Sequence, residues 1–192
     1  MFCYYLWEFY PLTGDESLLE RYYQKTDDDR ARWANLFNYV GRCLSSSNSK
    51  KPLDKSLKSR IIAFFDWRFK AGEIAEISEF TFWLKAECLD VEWRLDAYSK
   101  ILDISQWKAE GVLIQLEVLE GMLSDHTSKV VECFAKLTDF VPKNDMIYIR
   151  KDEAKSILES GLNSEEESVR RDAERARENL LRAGRFDFLD IN

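Results

Sequence analysis

The sequence predicts an all-α protein, a short α-solenoid of antiparallel helix pairs. Three observations carry that expectation. Apolar stripes recur at a fixed interval of 39 residues. The three prolines, Pro11, Pro52 and Pro142, fall only where helical patterns break. Between the stripes lie short polar turns with the chemistry of helix ends.

The interval is read from side-chain spacing. Val91, Leu95, Tyr98 and Leu102 form one face of a helix, because offsets of four, seven and eleven return to the same side at 3.6 residues per turn. Val130, Phe134, Leu137 and Val141 repeat the stripe, and Val169, Ala173, Ala176 and Leu180 repeat it again. A preceding helix repeats with it. Phe80 and Leu84, Leu119 and Leu123, and Leu158 and Leu162 hold equivalent places. Self-similarity at such a period is the mark of a stacked repeat.

The predicted helices run over residues 76–88, 90–104, 112–123, 127–141, 152–162 and 165–183, joined in pairs by turns near Leu89-Asp90, Ser124 to Ser128 and Gly161 to Ser164. Gly161 is expected to supply a left-handed cap, and Ser164 with Glu167 a capping box. Asp90 and Ser128 suit the starts of the other second helices. Before residue 77 the pattern is less regular. Trp33, Leu36, Phe37, Val40 and Leu44 give one amphipathic helix and Leu57, Ile61, Phe64, Phe65 and Phe69 another, across a polar loop at 45–52. A short helix is expected at 16–24. The chain therefore divides into an aromatic N-terminal segment with that helix (1–25), a divergent helix pair (26–76) and three repeats (77–192).

Residues 157–173, Ile-Leu-Glu-Ser-Gly-Leu-Asn-Ser-Glu-Glu-Glu-Ser-Val-Arg-Arg-Asp-Ala, resemble the HEAT family of helical repeats. That resemblance implies an apolar first helix, an acidic turn, and Val-Arg ahead of small core residues in the second. Residues 77–184 follow the scheme, although Val91-Glu92 and Val130-Val131 depart from the Val-Arg pattern. A weaker resemblance joins Phe80-Thr-Phe-Trp83, Glu92-Trp-Arg-Leu-Asp-Ala-Tyr98 and Tyr148-Ile-Arg-Lys-Asp-Glu-Ala154 to the helical C-terminal region of large bacterial multidomain proteins, some of them defence-associated. It implies a bacterial scaffold module, detached from or related to such proteins.

Composition narrows the function. Of the 192 residues 45% are hydrophobic and 14% aromatic, too apolar for a disordered chain. Net charge is -7, and the acidity is concentrated in residues 77–192. A polyanion meets long-range repulsion there. Cys3, Cys43, Cys88 and Cys133 are widely spaced and read as reduced core cysteines of a cytoplasmic protein. Residues 1–7 are apolar but lack a basic leader and are interrupted by Glu8, which argues against a signal peptide or a membrane span.

No catalytic constellation stands out, and the chain is expected to be neither an enzyme nor a cofactor or metal binder. Its single histidine, His126, lies in a predicted turn beside Ser124 and Asp125, without partners converging from elsewhere in the fold. The seven glycines are isolated, with no phosphate-cradling loop. Carboxylate runs at Asp27–Asp29 and Glu165–Glu167 fall at helix starts, where the helix dipole favours them.

What remains is binding, with another protein or an upstream domain as the expected partner. Tyr4, Trp7, Trp93 and Trp107 are the candidate contacts, since tryptophan and tyrosine are favoured at binding hot spots and Trp93 falls outside its helix's apolar stripe. Residues 2–10 crowd seven large apolar side chains ahead of Pro11, which suits docking or self-association. The alternative is a nucleic-acid binder using the basic helix at 51–70, with Lys51, Lys55 and Lys58 on one face.

Overall fold

The computed structural model describes residues 30–45, 53, 55–71, 80–105, 112–139 and 150–191, and every regular element among them is helical. In order these are α1 (Arg30–Ser45), α2 (Lys55–Ala71), α3 (Thr81–Leu84), α4 (Val91–Ser105), α5 (Val112–Glu120), α6 (Leu123–Thr138), α7 (Lys151–Leu162), α8 (Glu167–Arg182) and a 3-10 turn at Phe186–Phe188. The chain separates into two compact units at Leu89-Asp90, inside the first predicted helix pair.

The first unit is built on aromatic rings. Phe37 and Val40 of α1, and Ile61, Phe64 and Phe65 of α2, are buried with Phe80, Trp83 and Leu84 at α3. The Trp83 ring stacks on Phe37 at 4.8 Å between centroids, and its Nε1–H donates to the Phe37 carbonyl at 2.9 Å. A buried indole thus gains both its apolar contacts and a partner for its one donor. Gly41 makes the close approach feasible, because a Cβ there would stand 2.7 Å from Trp83 Cδ1. Trp83 fills the core. Where the sequence predicts one helix over 76–88, the described residues 80–88 hold a single helical turn, Thr81–Leu84, and 85–88 are turn and irregular backbone.

In the second unit the predicted stripes are buried. Leu95, Tyr98 and Leu102 on α4, Val130, Phe134 and Leu137 on α6, and Val169, Ala173, Ala176 and Leu180 on α8 all lie inside, whereas Val91 is half-buried and Val141 lies outside the described residues. Leu119 and Leu158 are buried on the first helices and Leu162 is half-buried there, whereas Leu123, predicted at the end of the first helix 112–123, is buried at the start of α6, because α5 ends at Glu120. The contact order is sequential. The second helices α4, α6 and α8 pack one on the next, α5 packs on α7, and each of these two also meets its own second helix.

Two helix-end expectations need correction. Gly161 is a helical residue in the last turn of α7, and a Cβ on it would come within 2.7 Å of the Ala173 Cβ and 3.1 Å of both Val131 methyls. It is a glycine because three helices meet there, not because the backbone turns left. The left-handed glycine is Gly184, at φ +78. Its N–H donates to the Leu181 carbonyl and that of Arg185 to the Leu180 carbonyl, the two bonds that close a helix in a Schellman motif. Nor do Ser164 and Glu167 form a capping box. The helix begins at Glu167, Ser164 Oγ accepts from the Glu166 N–H at 3.2 Å, and Arg170 Nη1 donates to the carbonyls of Ser164 and Glu165 at 2.6 and 2.8 Å. A long arginine thus holds the turn that a serine two residues nearer, at the N-cap position of Glu166, would have capped.

The turn predicted at 124–128 is a kink. His126 departs from helical geometry (φ -137, ψ 37) inside α6.

A buried polar contact joins α4 to α5: the Tyr98 hydroxyl donates to Gln115 Oε1 at 2.7 Å, with both side chains inaccessible. Burial pushes the Tyr98 hydroxyl well above its ordinary range, so it remains a donor at all working pH. Tyr98→Phe removes that donor and is expected to cost about 1–3 kcal/mol in urea unfolding, whereas Tyr98→Phe with Gln115→Met should recover part of the loss.

Candidate partner-binding surface

A face made by α4, α6 and α8 carries a ladder of polar contacts. Its rungs between α4 and α6 join Asp96 to Lys129, Ser99 to Glu132 and Asp103 to Lys136, each pair 33 residues apart. Equal separation along three successive rungs requires the two helices to run side by side in the same direction. Glu117 and Arg150 make the same step, with Arg150 Nη2 2.9 Å from Glu117 Oε2, between α5 and the residue before α7. Between α6 and α8, Asp139 accepts from Asn179 Nδ2 at 2.7 Å and lies 4.0 Å from Arg175.

At the ladder's centre, Lys136 Nζ donates to Ser99 Oγ at 2.7 Å, and Ser99 in turn donates to Glu132 Oε1 at 2.7 Å. A serine beside a lysine could form a nucleophile and its base. Here Ser99 donates to Glu132 and accepts from Lys136. Burial lowers the Lys136 pKa, but the hydrogen bonds its ammonium donates to Asp103 and Glu132 and the charges of those carboxylates outweigh that effect and leave it above its ordinary value. A lysine held protonated between two carboxylates donates to Ser99 and takes no proton from it.

Ion pairs within α8 are helix-surface contacts: Arg171 with Glu167, Arg175 with Asp172 and Arg182 with Glu178, three or four residues apart.

Of the candidate contacts, Trp93 alone lies among the described residues. Trp93 is half-buried on α4, between buried Ala97 and exposed Asp96. Tyr4, Trp7 and Trp107, the apolar segment 2–10, the helix at 16–24 and Lys51 lie outside the described residues. Lys55 is exposed and Lys58 half-buried on the first turns of α2. The basic run does not continue as a surface stripe, because Arg68 is buried and its guanidinium lies over the Trp67 ring at 4.8 Å. That placement is a cation–π contact.

The cysteines differ from one another. Cys133 is buried, its thiol donates to the Leu95 carbonyl at 3.5 Å, and burial drives its pKa far above the ordinary thiol value. Cys88 is half-buried with its thiol 3.5 Å from the Leu44 carbonyl. Cys43 is exposed, which corrects the expectation of a core position. Cys3 lies outside the described residues. Iodoacetamide added to the native protein is therefore expected to alkylate Cys43 and spare Cys133, with mass spectrometry of tryptic peptides as the check. Equal labelling of both would mean that the α4–α6 core opens readily.

Sequence reasoning missed the exposed apolar pair Phe186 and Leu189. These residues retain 70% and 60% of their accessible surface, while their neighbours Phe188 and Ile191 are buried. The segment is anchored by Arg177 Nη1, which donates to the Ile191 carbonyl at 2.8 Å, and by Lys151, which pairs with Asp187 at 2.8 Å. The only sequence signal was Phe-Asp-Phe-Leu just beyond the last predicted helix, where no repeat position called for it.

Among the described residues no group of three His, Cys, Asp or Glu side chains could hold a metal ion, and no helix is long and apolar enough to cross a membrane. No family model, no curated protein and no solved structure matches the chain.

Proposed function

We propose that this chain is a non-catalytic helical-repeat scaffold that binds another protein, built as a short HEAT-like α-solenoid with a period of 39 residues. The observation that supports this most is the sequential packing of α4 on α6 and α6 on α8, with three rungs of equal separation between α4 and α6. Helix pairs stacked in this way keep a rigid backbone and present long ridges of side chains, a geometry that suits an extended protein surface. The raised pKa of Lys136 between Asp103 and Glu132 supports a structural role for its contact with Ser99.

The test is capture by the full chain from a lysate of its native source, followed by titration of the purified captured protein by calorimetry. A saturable complex with one defined protein is expected. Tight binding to DNA or RNA that collapses with added salt and is lost in Lys55→Ala/Lys58→Ala would instead establish the nucleic-acid alternative.

A further inference from the structure

We draw no further inference here: the strongest candidate, the exposed apolar surface patch of Phe186 and Leu189 on the segment beyond α8, carries nothing, because charged side chains of both signs neighbour it and nothing in the structure shows what covers it.

Discussion

Trp83→Ala is expected to destabilise the first unit by about 3–5 kcal/mol, the range for removing a fully buried large aromatic side chain. Trp83 has no exposed surface and stands among Phe37, Phe64 and Phe65, with ring centroids 4.8, 6.5 and 5.6 Å away. The substitution opens a cavity in that cluster and removes the donor to the Phe37 carbonyl. Trp83→Phe separates the two effects. It retains most of the ring volume and should cost about 0.5–1.5 kcal/mol, the net value of one hydrogen bond, since the Phe37 carbonyl lies mid-helix in α1 and keeps its place in the helix ladder. Urea unfolding followed by circular dichroism measures both. A loss below about 1 kcal/mol for Trp83→Ala would mean that the aromatic cluster does not form the core of this unit.

In the second unit the largest expected effect belongs to Phe134, which is fully buried on α6, the helix that packs on both α4 and α8. Phe134→Ala should cost about 3–5 kcal/mol and Leu123→Ala, at the slightly exposed start of the same helix, about 2–5 kcal/mol. Ala173 holds the corresponding place on α8, beside Gly161. The small residues there let α7 and α8 approach closely, whereas α6 fills the equivalent space with an aromatic ring. Losses below about 1 kcal/mol at both Phe134 and Leu123 would contradict the burial described for α6.

The helices of residues 90–191 were legible because their burial is one-sided. A helix that hides one stripe writes the 3.6-residue period into its sequence, and Val130, Phe134 and Leu137 or Val169, Ala173 and Ala176 carry that period plainly. Helix ends were less legible. Gly161 and Gly184 are the same residue type serving different demands, close approach in one case and positive φ in the other, and only the position of neighbouring helices tells them apart. Arg68 looked like part of a basic surface because a sequence shows its charge and not its burial against Trp67. The candidate surface was the least legible part. The rungs from Asp96, Ser99 and Asp103 depend on which helix lies beside α4, and Phe186 and Leu189 stand outside any period.

The most direct measurement of the repeat architecture is the removal of one whole period. Deleting the 39 residues 112–150, which contain α5 and α6, joins α4 to α7 with the spacing of the remaining stripes unchanged. In a stacked array each pair depends chiefly on its neighbours, so α8 takes the place of α6 against α4. The shortened chain is predicted to keep its helical content per residue by circular dichroism and to melt in a cooperative transition at a lower temperature. A shortened chain that is unfolded or melts without cooperativity would contradict the 39-residue stacked-repeat account.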